Sequence, residues 1–246
     1  HIRAYKYSTV SKYTSFSGTN NGITSVTITE QVEHLVLDVN KITVINILNN
    51  NNLKYLGLKY NMMTFLDLST TNIKVVDISN NELEHIILPN TVQSAILNNN
   101  PLEKLEFPES TTGNHKLKIL NVTNTSLSCI PNNIYVQQLY ASCTKITKIP
   151  LNAYNVTVSC NDIDMIASHY MGRHIKARNC RIYKLIMTGE WNIDIIHSDI
   201  HLVDKIQYLP QLITSNQIIL LNSAAYCIQR NWHKYLKNNG KDMDLC

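Results

Sequence analysis

Two histidine pairs and six cysteines are the side chains in this chain that chemistry would most readily use. His169 and His174 form one pair; His197 and His201 form the other, with Asp199 between them. On a helix, the second spacing would turn both imidazoles onto one face, as metal sites do. The surrounding pattern is not helical: Ile195 falls on an inward strand position and Ile200 on a turn-side position. The segment is expected as a strand followed by a turn, and no metal is assigned to it. Carboxylates are sparse. Asp162 and Asp164 flank Ile163 without an acid or base partner, and Glu103, Glu106 and Glu109 with Lys104 read as a solvated edge. The sequence has no nucleophile elbow, no phosphate-binding loop and no Cys–His pair with a third group to orient it. The expectation is a chain that is not an enzyme and uses no cofactor.

The cysteines are Cys129, Cys143, Cys160, Cys180, Cys227 and Cys246. An even count fits a disulfide framework in an oxidising compartment. Three N-x-S/T sequons, at Asn121, Asn124 and Asn155, point the same way as glycosylation candidates. The chain begins at His1 without a leader, as a processed secreted chain would. Secreted, extracellular localisation is therefore expected, although an Asn- and Thr-rich chain generates sequons by chance and six thiols also fit a reduced interior.

What must position these residues is a repeat. LKYLGLKYNMM from Leu53, IKVVDISNNEL from Ile73 and VQSAILNNNPL from Val92 each follow L-x-x-L-x-L-x-x-N-x-L, the unit of a leucine-rich repeat. A unit of roughly twenty residues cannot bury its own apolar face, so neighbouring units must stack into one core. Starts fall near Val32, Leu53, Ile73, Val92, Leu117, Val136, Ala153, Gly172, Glu190 and Tyr208, with the last two the loosest matches. Positions 4 and 6 point inward, from Leu35 and Leu37 to Ile193 and Ile195. Position 9 is Asn40, Asn61, Asn81 and Asn100, then Thr125, Thr144, Asn161 and Cys180; a buried Asn there can donate to and accept from the turn backbone. A second apolar pair at positions 14 and 16 lies on the return side, where extended or 3₁₀ segments are expected.

The predicted fold class is an α/β-type leucine-rich repeat solenoid. Parallel strands line the concave face and short extended or 3₁₀ segments line the convex one. Residues 1–31 are expected as a β-rich N-terminal cap, 32–218 as about nine or ten repeats, and 219–246 as a helical C-terminal cap. In that cap Trp232 covers the last repeat and Cys227 pairs with Cys246. The stretch 109–116 should bulge as a loop. No run approaches the length of a membrane span, and the net charge of +4 is too small and scattered for a nucleic-acid footprint.

The register also places the cysteines. Cys143 and Cys160 share position 8 in successive repeats, and stacked strands about 4.8 Å apart fall within disulfide range. A Cys160–Cys180 bridge competes with that staple, and Cys129 has no clear partner. Solvent-facing strand positions 3, 5 and 7 make the candidate binding wall. Its partner-binding candidates are Tyr55, Lys59, Ile96, Ile119 and Tyr140, with a basic row of His174, Lys176 and Arg178. Exposed aromatic anchors are enriched at energetic centres of interfaces. Glycans at Asn121 or Asn155 would obstruct this wall.

The position-9 Asn, the Cys129 to Cys180 group and the Cys227-x4-Trp232-x13-Cys246 ending resemble insect secreted leucine-rich repeat proteins, the leucine-rich immune molecules of mosquitoes. That likeness implies an extracellular role in innate immunity, with complement-like thioester proteins or another leucine-rich repeat chain as partners. The stretch LPNTVQSAILNNNPLEKLEFPES, from Leu88, is also similar to the short repeats of bacterial effectors. That likeness implies a cytosolic or pathogen-derived effector or decoy that binds a host protein.

Overall fold

The computed structural model describes residues 8–10, 15–28, 32–47, 51–108, 115–149, 153–168, 174–187, 192–196 and 199–206. Successive coils each give one strand to a ten-stranded parallel sheet that follows chain order. Its strands are Ser15–Ser17, His34–Val36, Tyr55–Gly57, Val75–Asp77, Ser94–Ile96, His115–Asn121, Ile134–Tyr140, Ala153–Ser159, His174–Arg178 and Asn192–Ile196. Alternation decides which side is buried, because successive strand side chains point to opposite faces. Leu35, Leu56, Val76, Ala95, Leu120, Leu139, Val156 and Ile175 pair one to the next across the sheet. None of them is more than 1% exposed. Position 6 runs beside them as a second buried file: Leu37, Leu58, Ile78, Leu97, Val122, Ala141, Val158 and Ala177. Each large aliphatic side chain in these files contributes about 2 kcal/mol of apolar burial.

Coiling begins before the expected first repeat. Ser15–Ser17 joins the long sheet with Phe16 opposite Leu35. Gly18 takes the inward place where later coils put an aliphatic residue; a Cβ there would lie 2.9 Å from Phe16 Cε1 and 3.0 Å from Leu37 Cδ2. The large Phe16 ring fills the space instead. The β-rich character expected of 1–31 is found at 8–10, 15–17 and 25–28, and there it takes the form of a further coil.

The return side holds more sheet than expected. Ser8–Val10, Ser25–Ile28 and Val44–Ile47 form one three-stranded parallel sheet; Phe65–Asp67, His85–Ile87 and Lys104–Glu106 form a second; Asp162–Ser168, Arg181–Met187 and Asp199–Ile206 form a third. No 3₁₀ turn occurs among the described residues. The β-branched pairs Val44–Ile45 and Ile86–Ile87 favour extended backbone, and in-register stacking supplies each strand with partners. His201 lies in the last of these strands, so its spacing from His197 is not that of two imidazoles on a helix face. Of the expected loop 109–116, His115 and Lys116 begin a strand, and 109–114 lie outside the described residues. The same holds for His169, His197 and the whole of 219–246, including Trp232, Cys227 and Cys246.

Polar order inside the coil comes from position 9. The Asn61 amide donates to the carbonyls of Leu37 at 3.0 Å and Leu58 at 3.0 Å, while its Oδ1 accepts from the Ile42 N–H at 2.9 Å. Asn81 and Asn100 repeat this pattern one and two coils on. Each Asn thus ties its own turn to the preceding coil. Thr125 and Thr144 make fewer bonds; their hydroxyls donate to the carbonyls of Val122 and Ala141. Just before this residue the chain turns through a left-handed conformation. Val39, Tyr60, Asn80, Asn99, Asn124, Cys143, Cys160 and Asn179 all have φ between 50° and 59°. Asn tolerates this region; Val39 carries a steric cost of about 1–2 kcal/mol.

His115 gives the fold an acid sensitivity. Its ring packs near Phe107, with ring centres 5.8 Å apart, and its Nε2 meets the Val92 carbonyl. Burial, opposed by that hydrogen bond, lowers its pKa. Because the folded-state pKa lies below the unfolded one, the unfolded chain takes up the proton first, and stability falls as pH drops below about 6.5. Urea melts at pH 7.5 and pH 5.5 should show a smaller loss of midpoint for His115→Phe than for the parent chain; an equal loss would dismiss the role.

Candidate recognition surface

The ten-stranded sheet carries outward columns, because pairing is in register from coil to coil. Position 3 reads His34, Tyr55, Val75, Ser94, Ile119, Gln138, Asn155 and His174; position 5 reads Val36, Gly57, Asp77, Ile96, Asn121, Tyr140, Thr157 and Lys176. Three of the expected anchors come together. Ile96 and Tyr140 flank Asn121 in the position-5 column, and Ile119 stands two residues before Asn121 on the same strand. Tyr140 is 39% exposed, while Ile96 and Ile119 are half-buried. The result is an apolar cluster around one amide at the middle of the sheet.

Tyr55 and Lys59 sit apart from it, in an electrostatic clamp near the N-terminal end. Lys59 Nζ lies 3.7 Å from Asp38 Oδ2 and 3.6 Å from Asp77 Oδ2, one carboxylate on each neighbouring coil. Asp38 Oδ1 also accepts from the Lys59 backbone N–H at 2.9 Å, and the Ser79 hydroxyl donates to Asp77 Oδ1 at 2.7 Å. Asp77, then Asp38, raises the Lys59 pKa. Tyr55, stacked on His34 at 6.4 Å, is pushed up by loss of hydration and then by Asp77. Gly57 leaves the room for this: a Cβ there would lie 3.2 Å from Asp38 Oδ1 and 3.3 Å from Tyr55 Cε1. The Lys59 charge is therefore engaged within the chain. The two carboxylates were not singled out in the sequence: Asp38 and Lys59 fall at position 7 of their repeats and Asp77 at position 5, so alignment alone does not bring the three together.

The basic row lies one strand beyond Asn155–Ser159. Lys176 and Arg178 are exposed, and His174 begins the same strand. The sequon residues fall on this same side. Asn121 and Asn155 are half-buried strand residues, and Asn121 Oδ1 accepts from the Thr123 N–H at 3.1 Å. Asn124 is exposed on the rim, and its amide donates to Asn99 Oδ1 at 3.1 Å. Under this stretch of rim lies a shallow depression of about 340 Å³ between Asn99, Pro101 and Ser126.

The cysteines depart from expectation. None of the four described ones is disulfide-bonded. The staple expected between Cys143 and Cys160 is not formed; both residues are exposed and free. The competing Cys160–Cys180 bridge is not formed either. Cys180 occupies the inward position-9 site, is 2% exposed, and its thiol donates to the Arg178 carbonyl at 3.3 Å. Cys129 is exposed on the return side. No three His, Cys, Asp or Glu side chains converge as metal ligands among the described residues.

A second exposed apolar group was not foreseen. Val39, Val44, Tyr60, Met62 and Phe65, all in the first two predicted repeats, are 43–58% exposed. Phe65 packs 5.2 Å from the His85 ring, whose Nε2 is 2.6 Å from Glu106 Oε2.

A parallel sheet built one strand per coil, with an asparagine ladder behind it, defines the chain as a leucine-rich repeat solenoid. Among solved structures it superposes on YopM from Yersinia enterocolitica WA-314 with a TM-score of 0.61 at 20% identity, over 79% of this chain and 44% of that one. The chain thus spans less than half the length of that structure. A second, described as a leucine-rich effector protein YopM from Yersinia pestis, aligns over 78% of this chain and 80% of that one at 15% identity, with a TM-score of 0.38. No family model and no curated protein matches the sequence. The first of these structures supports the leucine-rich repeat fold, and nothing in the comparisons supports the insect immune likeness.

Proposed function

We propose that this protein is a binding scaffold that performs no catalysis and holds a folded protein partner on its concave sheet. The observation that carries the reading is the apolar cluster of Ile96, Ile119 and Tyr140 around Asn121, carried on a continuous sheet. Rigid strands hold these side chains in place before a partner arrives, which lowers the ordering cost of association. Aromatic and aliphatic anchors at the centre of such a wall, with polar residues around them, match the anatomy of protein interfaces. Lys176 and Arg178 would add electrostatic steering toward an acidic patch on the partner.

For the setting, we favour the effector-like or decoy-like reading over the secreted immune one. It is supported by the fold likeness to YopM from Yersinia enterocolitica WA-314. Intact mass of the native protein without reductant separates the two settings, since glycan mass on Asn121, Asn124 or Asn155 would refute the cytosolic one.

The binding face is tested by affinity capture from the native source with the parent chain, with Ile96→Asp/Tyr140→Ala, and with Met62→Ser/Phe65→Ser. The concave pair should lose at least tenfold of the captured partner, corresponding to about 1.4 kcal/mol, while its far-ultraviolet spectrum and melt are retained. Loss confined to the Met62/Phe65 variant would move the interface to the outer face.

A further inference from the structure

We infer that Cys143 and Cys160 form a reversible dithiol modification site, which closes to an intramolecular disulfide between adjacent coils when a small-molecule disulfide is present. Three observations carry it. The two strands leading into the residues are paired in register, with Leu139 opposite Val156 and Tyr140 opposite Thr157. The Cys143 N–H continues the ladder by donating to the Ser159 carbonyl at 2.7 Å. Both residues then turn through the same left-handed conformation, with φ of 53° and 56°. Their Cα–Cβ bonds therefore leave the rim side by side, and both residues are exposed.

The same geometry argues for a reversible bond and against a permanent staple. Parallel Cβ vectors on strands about 4.8 Å apart hold the Cβ atoms somewhat beyond the roughly 3.8 Å that a relaxed disulfide takes. Closure draws the coils together by about 1 Å, and a strained, exposed disulfide is the more readily reduced kind. This part of the solenoid is also where such a movement meets least resistance. Position 9 between these coils is Asn161, whose amide donates to the Thr144 hydroxyl at 2.8 Å in place of a second backbone carbonyl at the turn, and whose buried Oδ1 has no hydrogen-bond partner. The stiffer arrangement of Asn61 and Asn81 is absent here.

The chemistry balances with glutathione disulfide as oxidant. One cysteine thiolate attacks a glutathione sulfur; the S–S bond breaks and one glutathione leaves as thiolate. The second protein thiolate attacks the mixed disulfide and expels the other glutathione. Two protein thiols are oxidised to one disulfide, one glutathione disulfide is reduced, and the two thiol protons end on two glutathione molecules. Partial loss of hydration, then the Cys160 thiol, raises the Cys143 pKa. The Cys143 thiol thus rests protonated near neutrality, and attack through it quickens as pH rises. Closure would fix Ser142 and Ser159 beside Tyr140 and couple the redox state to the concave wall.

The test equilibrates the full chain in glutathione buffers, quenches with acid, blocks remaining thiols and maps peptides by mass. The linked Cys143–Cys160 peptide should form at a fraction set by oxidised glutathione over the square of reduced glutathione. In Cys143→Ser, Cys160 should instead give a mixed adduct that needs roughly tenfold more oxidant, because the effective concentration of a neighbouring thiol is lost. Cys160→Ala supplies the reciprocal measurement should the first variant fold poorly. Independent glutathione adducts on both residues of the parent chain, with first-power dependence on reduced glutathione, would overturn the inference. So would linkage of either to Cys129.

Discussion

Asn81→Ala should lower the stability of the solenoid by about 3 kcal/mol, read as a shift in the urea midpoint at unchanged slope. The Asn81 amide donates to the carbonyls of Leu58 at 2.8 Å and Ile78 at 3.1 Å, and its Oδ1 accepts from the Met63 N–H at 3.0 Å. Alanine fills too little space and offers nothing to these groups, which stay buried between coils. Each buried group left without a partner costs about 1–3 kcal/mol, and shared relaxation keeps the sum below full additivity. Asn81→Asp sharpens the argument. It keeps the shape but replaces two donors by an acceptor, so it should destabilise at least as much at neutral pH and recover in part when acid protonates it. A loss below about 0.5 kcal/mol in both variants would mean that the ladder does not join the coils.

Leu120→Ala should cost about 3 kcal/mol, within the range measured for buried leucines. Leu120 is fully buried and stacks between Ala95 and Leu139. Ala95 already contributes little bulk on one side, so the cavity left by the truncation has few atoms able to close it. Leu120→Ile, which conserves volume, should cost less than about 1.5 kcal/mol. Equal losses for the two variants would show that backbone distortion, and not the cavity, is responsible.

Much of this architecture could be read from the chain itself because it depends on spacing. Leu, Val and Ile at positions 4 and 6 alternate with polar residues over a short strand, and only one stacking of twenty-residue units buries both files. The position-9 Asn was legible for the same reason: an amide is a small side chain that can donate twice to a turn and accept from it at once. Three features were not legible. The return-side sheets arise from stacking, since three-residue pieces such as His85–Ile87 favour extended backbone but are too short to show that they will pair. The left-handed turn at position 8 is filled by Val39, Tyr60, Asn residues and two cysteines, so its shared backbone requirement is hidden by unlike side chains. The clamp of Asp38, Lys59 and Asp77 was missed because Lys59 was weighed singly; its partners lie about twenty residues away in sequence and one strand away in space. The anchor cluster was only partly legible. Ile96, Ile119 and Tyr140 were each identified, but their convergence on Asn121 follows from pairing that links three coils.

The thinning of the asparagine ladder at Thr125 and Thr144 divides an otherwise uniform rod into two blocks with a weak seam. In a molecule where each coil touches only its neighbours, disruption spreads from the poorest junction outward. Hydrogen–deuterium exchange should therefore show the coils from Leu53 to Asn100 opening as a late, cooperative unit and those after Asn121 exchanging first. Mechanically the seam is a fault line, with Cys143 on its last coil and Cys160 on the coil that follows.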